Sequence, residues 1–271
     1  MADQQEDKSR YTFGDQGPAA ERLRRLSNLY RPVSEAALKR ARDGCGSHIG
    51  LAIDLGAGPG YTTELVAEVT GADRTIGYER SALFCEEARR RLPAEIEFVE
   101  QDVAAFDLPV KGVDLAFCRF LLTHLPDPVA TLKRWIGSLR PGGMLVLVEL
   151  EKLSSTDPTL ARYYEIIDGV QAQHGQQMYI GDSLEGFARD AGFAIFDSQR
   201  VEPAISAAGM ATLHRPNLDN VRKDAWVKEN FSDHEIDEVA AGLERIAQEV
   251  VGRTPIQNVL RIVVAQREGQ M

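Results

Sequence analysis

The chain has 271 residues, 44% of them hydrophobic and 27% charged, enough for one large α/β unit with a well-buried core. Its 31 Lys and Arg stand against 41 Asp and Glu, a net charge of −10 that argues against nucleic acid or an anionic membrane as partner, since both need clustered cations. There is no apolar run of transmembrane length and no apolar leader, and Cys45, Cys85 and Cys118 have neither a CxxC pair nor metal-like spacing, so the expectation is a cytoplasmic protein without a metal.

Residues 1–10 are polar and carry no expected element. A helix is predicted over 19–31, with Leu23, Leu26 and Tyr30 on one face, stopped by Pro32. A second helix is predicted from the Ser34 cap, carrying Leu38 and Ala41, before Gly44, Gly46 and Gly50 lead into a strand. That strand, at 51–55, buries Leu51, Ile53 and Leu55 and ends in a glycine turn, with a helix over 62–69. Gly56, Gly58 and Gly60 can take positive φ and let a ligand approach the backbone. The pattern is acidic-x-G-x-G-x-G, with Asp54 leading it. A dinucleotide turn would place its third glycine at position 61, where Tyr61 stands. A carboxylate beside the turn is also awkward for pyrophosphate and tolerable for a cationic ligand.

A second strand over 74–79 ends in Glu79, placed to accept hydrogen bonds from ribose hydroxyls. Ser81 caps a helix that ends near Leu92 and Pro93. A third strand spans 95–100, followed by Gln101, Asp102 and Val103, and a fourth spans 113–118. Asp127 and Pro128 read as cap and first residue of a helix whose buried face is Val129, Leu132, Ile136 and Leu139. An R-P-G-G turn at 140–143 precedes a nearly continuous apolar strand at 144–150, with Glu149 and Glu151 at its carboxyl end. A helix over 158–174 carries Leu160, Tyr163, Tyr164, Ile167 and Val170. A capping box at 182–185 opens a helix that ends at Gly192, and a strand covers 193–201. Within an insertion at 203–256, the stretch 210–216 borders the pocket and 219–231 is helical. Ser232 and Glu235 then cap a helix with Ile236, Val239, Leu243, Ile246 and Val250 on one face, and 259–265 is the last strand.

Three runs carry a family resemblance: D-L-G-A-G-P-G at 54–60, L-T-H-L-P-D-P at 122–128 and R-P-G-G at 140–143. With them the chain resembles the class I, Rossmann-like S-adenosylmethionine-dependent methyltransferases of small-molecule type, over about 47–202 and the last strand. The resemblance implies a three-layer α/β fold with a seven-stranded, mostly parallel sheet whose last strand is antiparallel. It implies an N-terminal helical arm at 1–46 and a cofactor-binding domain at 47–271, with helical lids at about 153–181 and 203–256. The implied cofactor is S-adenosyl-L-methionine, leaving as S-adenosyl-L-homocysteine.

On the same basis the cofactor would be held by Asp54, Gly56, Ala57, Gly58, Gly60, Glu79, Arg80, Asp102, Val103, Cys118 and Arg119, with Tyr11 from the arm. Tyr30, Tyr164 and Tyr179 would line the substrate side, and His124, Glu149 and His174 are the candidate bases, needed only if the nucleophile arrives protonated. The expected reaction is in-line methyl transfer to an O, N or C nucleophile of a small molecule, such as one of secondary metabolism. A homodimer is left open. The alternatives are a protein of this fold that binds the cofactor without methylating, and a methyltransferase acting on a macromolecule.

Overall fold

A computed structural model of the protein describes residues 18–46, 48–250 and 252–269. Seven strands form one sheet in the order β3-β2-β1-β4-β5-β7-β6. They are β1 (Leu51–Leu55), β2 (Arg74–Glu79), β3 (Ile96–Glu100), β4 (Val113–Arg119), β5 (Leu139–Ser154), β6 (Ala194–Val201) and β7 (Gln257–Gln266). β7 is antiparallel to both its neighbours, β5 and β6, and the pairings among the first five strands are parallel. The order reverses between β1 and β4, which opens a crevice at their carboxyl ends.

Period-two alternation sends each strand's side chains to two cores. Ile53, Leu55, Leu145 and Leu147 face α4 (Pro128–Ile136) and α6 (Leu184–Asp190), through Leu132, Trp135 and Leu184. Ala52, Met144, Val146 and Val148 face α1 (Pro18–Cys45) and α2 (Tyr61–Thr70), through Leu38, Ala41, Leu65 and Val66. A third core joins α5 (Pro158–Gln173), α7 (Ala207–Val221), α8 (Ala225–Asn230) and α9 (Asp233–Ala247) into a helical cap. α3 (Ala82–Arg91) packs on β3 beside Phe98.

Several expectations are corrected. α1 runs unbroken through Pro32. A proline removes the bond to the carbonyl four residues earlier, yet burial of Tyr30, Val33, Leu38 and Ala41 on the sheet outweighs that loss. Ser34 is therefore not a cap; its hydroxyl accepts from Arg119 Nη1 at 2.8 Å. β5 absorbs the R-P-G-G turn, because Gly142 adopts φ 77° and its N–H donates to the Arg267 carbonyl at 2.7 Å. Leu139 thus lies in the strand, and Trp135 supplies the helix face instead. No capping box forms at 182–185: Glu185 accepts from the Ser198 hydroxyl at 2.5 Å, and a short 3-10 turn starts α6. The segment 207–221 is one helix despite Pro216, and the helical stretch expected at 219–231 is split by a cap at Asp224. The Ser232–Glu235 capping box is present, but α9 ends at Ala247 and Val250 is 98% exposed.

Candidate functional site

The crevice is built on the glycine turn. Gly56, Gly58 and Gly60 have φ of 76°, 53° and 85°, a region that residues with a Cβ rarely enter. Every amide of the turn is committed within the protein. Gly56 and Ala57 both donate to the Tyr78 carbonyl at 2.9 Å, Gly58 donates to Glu79 Oε2 at 2.9 Å and Gly60 to the Ala57 carbonyl at 3.0 Å; Pro59 has no N–H. A dinucleotide site needs such amides for pyrophosphate. This turn instead ties itself to the ends of β1 and β2 and presents carboxylates.

Asp54 is buried, and its Oδ2 accepts from the Thr62 and Thr63 hydroxyls at 2.6 and 2.7 Å. It locks the first turn of α2 to β1. Burial pushes it up to about 6, against those two hydrogen bonds and the nearby Arg119. Glu79 receives Gly58 N–H on one oxygen and Ser81 N–H, at 2.8 Å, on the other, and burial raises it. With Arg80 N–H as a third donor, the carboxylate keeps acceptor capacity for a ribose hydroxyl. Asp102 Oδ1 caps the next turn through Ala104 and Ala105 N–H, at 2.8 and 3.1 Å. Val103 is buried with its carbonyl bonded to Trp135 Nε1 at 2.9 Å, and Arg80 is exposed.

The loop after β4 forms the opposite wall. Cys118 is buried. Burial pushes Arg119 down to about 10, opposed by Asp54 and Tyr30. Phe120 takes φ 55°, alone among the described non-glycine residues in having positive φ. Its ring meets Tyr30 edge-on at 5.0 Å. His124 Nδ1 lies 3.1 Å from Gln176 Oε1; an amide oxygen only accepts, so this contact favours the Nδ1–H tautomer and makes Nε2 the basic nitrogen. Burial pushes His124 down to about 4, so the ring is neutral at pH 7. The Thr123 hydroxyl donates to the Gln177 carbonyl, and Gln177 N–H returns a bond to Thr123 at 3.2 Å, fastening the segment after α5 to this loop.

Other expected residues land elsewhere. Tyr30 is 1% exposed, and its hydroxyl accepts from Asn258 Nδ2 at 2.6 Å; it joins α1 to β7 beside Arg119. Tyr164 is buried against His214, and the Tyr179 hydroxyl donates to the Leu153 carbonyl at 3.1 Å. His174 caps the end of α5, and its exposed ring pairs with Asp224 at 3.1 Å. Glu149 is buried and accepts from the Leu121 and Leu122 amides. Glu151 turns to Arg200 and Arg261, whose hydrogen bonds outweigh its burial and lower it. Tyr11 lies outside the described residues. Thr62, Thr63 and Gln176 belong to the site and escaped the sequence reading. The two threonines were findable as hydroxyls that follow the turn within bonding reach of Asp54; Gln176 is 52 residues from its partner and had no local signal.

These residues fit S-adenosylmethionine: a ribose-hydroxyl acceptor in Glu79, a cradle without Cβ atoms and a turn with no amide left for phosphate. A methyltransferase domain model matches residues 52–143. Trans-aconitate 2-methyltransferase of Rhizobium etli is 40% identical over 100 residues, 37% of this chain and 38% of that protein; the chain therefore aligns with less than half the length of such relatives. Among solved structures, Haemonchus contortus phosphoethanolamine N-methyltransferase 2, in complex with phosphomonomethylethanolamine and S-adenosylhomocysteine, shares the fold at TM-score 0.55 and 18% identity, covering 88% of this chain and 53% of that one. Geranyl diphosphate methyltransferase in complex with its cofactor matches at TM-score 0.51 and 16% identity, covering 94% of both chains. Residues 52–143 thus match a methyltransferase domain, and they carry the glycine turn within a sheet of the Rossmann-like methyltransferase fold.

Proposed function

We propose that the protein transfers a methyl group from S-adenosylmethionine to a small-molecule acceptor, held between the 119–124 loop and the helical cap. The observation that carries this reading is the turn whose amides are all internally bonded, with the Glu79 carboxylate beside it. Glu79 would accept from a ribose hydroxyl and the remaining Asp102 oxygen from the adenine amine, while Val103 N–H would meet a ring nitrogen. Gly56, Ala57, Gly58 and Gly60 would give close backbone approach, and Arg80, Cys118 and Arg119, with Tyr11, would complete the cofactor contacts. The cofactor supplies an activated sulfonium methyl. The protein then has to align and desolvate the acceptor, which is worth roughly 7–11 kcal/mol in well-oriented systems.

His124 is the base we assign where the acceptor arrives protonated: it is neutral and its basic nitrogen is Nε2. Glu149 and His174 are less suited, the first because it serves the loop backbone and the second because it is held by Asp224. Helix α1 and the cap would complete the acceptor pocket, with Tyr30, Tyr164 and Tyr179 packed behind its wall rather than reaching the acceptor. The net charge of −10 favours a small acceptor over nucleic acid or membrane. A cytoplasmic place, a role in secondary metabolism and a homodimer remain part of this proposal. Trans-aconitate, the acceptor in the relatives' name, heads the panel to screen.

Calorimetric titration with S-adenosylmethionine, S-adenosylhomocysteine and NADH tests the reading. Micromolar binding of the two sulfur ligands and none of NADH supports it; NADH binding alone overturns it. Binding without turnover across carboxylate, phenol and amine acceptors would move the protein to a non-methylating role.

A further inference from the structure

One buried carboxyl group ties three parts of the site together. Glu149, at the carboxyl end of β5, is 1% exposed. Its Oε1 accepts from Leu121 N–H at 2.9 Å and Leu122 N–H at 2.8 Å, while Oε2 has no partner among the described residues. Those two amides follow Phe120, whose N–H donates to the Val148 carbonyl at 3.0 Å and whose backbone is in the left-handed region. For a bulky residue that conformation is costly and persists only when its surroundings impose it. The Leu121 side chain lies over Gly56, where an added Cβ would stand 2.9 Å from Leu121 Cδ2. Arg119, just before the strained residue, reaches back to Ser34 and faces Asp54. The position of Leu121 over the turn and of Arg119 below α1 therefore both depend on the backbone that Glu149 holds.

We propose that Glu149 is a positioning residue of this site: its buried Oε1 fixes the strained turn after β4, and with it the wall that Leu121 and Arg119 present to the cofactor. The proposal rests on the functional reading above for the identity of the ligand. Glutamine keeps an oxygen at the Oε1 position. Methionine fills the same volume without an acceptor, and aspartate keeps the carboxyl group but falls one methylene short.

The test combines amide hydrogen exchange at Leu121 and Leu122 with calorimetric binding of S-adenosylhomocysteine, on the full chain and on Glu149→Gln, Glu149→Asp and Glu149→Met. The expected result is retained protection and near-native affinity in Glu149→Gln, with lost protection and roughly tenfold or more weaker binding in the other two, the scale of two lost hydrogen bonds. Aspartate supplies the decisive comparison if methionine does not fold. Wild-type affinity in a folded variant that has lost protection overturns the proposal, as does a Gln variant as weak as Met. If the wild-type protein itself fails to bind S-adenosylhomocysteine, the cofactor reading fails instead. Exchange then still decides the clamp, which native protection in the Asp and Met variants would overturn.

Discussion

The glycine turn and the helical cap solve the burial of polar groups in opposite ways. Around the turn, acceptors meet donors close in the chain or on the next strand: Asp54 with Thr62 and Thr63, Glu79 with Gly58 and Ser81. In the cap, His214 is stacked on Tyr163 at 4.2 Å and bonded through Nε2 to Tyr164, while His214 Nδ1 and Asn217 Oδ1 are buried without a partner among the described residues. The turn is thus pre-organised by backbone geometry. The cap is held by shape, through glycines that let large residues close: Gly169 under Trp226 and Gly242 under Thr159. The turn is fixed by its own backbone, while the cap depends on close packing between distant helices.

The largest effect is expected in the turn. In Gly60→Val, a Cβ would stand 2.7 Å from the Phe98 ring at φ 85°, so thermal unfolding should report a loss of about 3 kcal/mol or more. A near-native melting temperature would mean that the turn is looser than its geometry. In the cap, Gly169→Ala places its Cβ 1.9 Å from the Trp226 ring and should cost about 1–3 kcal/mol. Adding Trp226→Phe removes the outer ring and should return much of that loss, and failure of the rescue would reassign the strain.

Acid separates the two regions by sign. Burial holds His214 down to about 3, below the ordinary histidine value of 6.5, so its unfolded form binds the proton first. Its contribution is lost as pH falls through 6.5 toward 3, by up to about 2 kcal/mol at about pH 5. Asp54 is held up to about 6, above 3.8, so the folded form binds the proton first and its contribution grows as pH falls through that window. His124, held down to about 4, shares the sign of His214 on the loop. Hydrogen exchange at pH 5 and pH 7 should therefore show α7 losing protection while β1 keeps it, with the difference reduced in His214→Phe. Equal loss in both regions would erase the distinction. The smallest effect is local: Ser232→Ala removes the hydroxyl that accepts from Glu235 N–H, leaving the backbone half of the α9 capping box, and should cost about 1 kcal/mol in chemical unfolding, without changing cofactor affinity.

Legibility followed the range of the interactions. β1, β2, the Ser81, Asp127 and Ser232 caps and the glycine turn all emerged where expected, because each depends on neighbours within a few residues. Pro32 misled because the burial that carries α1 through it comes from the sheet. Glu185 matched a capping box, yet Ser198, a residue of β6, took its carboxylate. Glu149 read as a pocket carboxylate and became a clamp, because its donors are backbone amides 27 and 28 residues away.

By itself the sequence determined the sheet's period-two strands, the glycines that permit positive φ, and the acidic residues that distinguish this turn from a pyrophosphate site. Backbone sterics and short-range hydrogen bonds dictate those features wherever the chain lies. The tertiary structure alone decided that the turn's amides are spent internally, that Gln176 faces His124, that Phe120 is strained and Glu149 holds the backbone after it, and that the cap encloses His214. Those outcomes depend on distant segments competing for the same donors and the same volume, and that competition is settled only when the chain has folded.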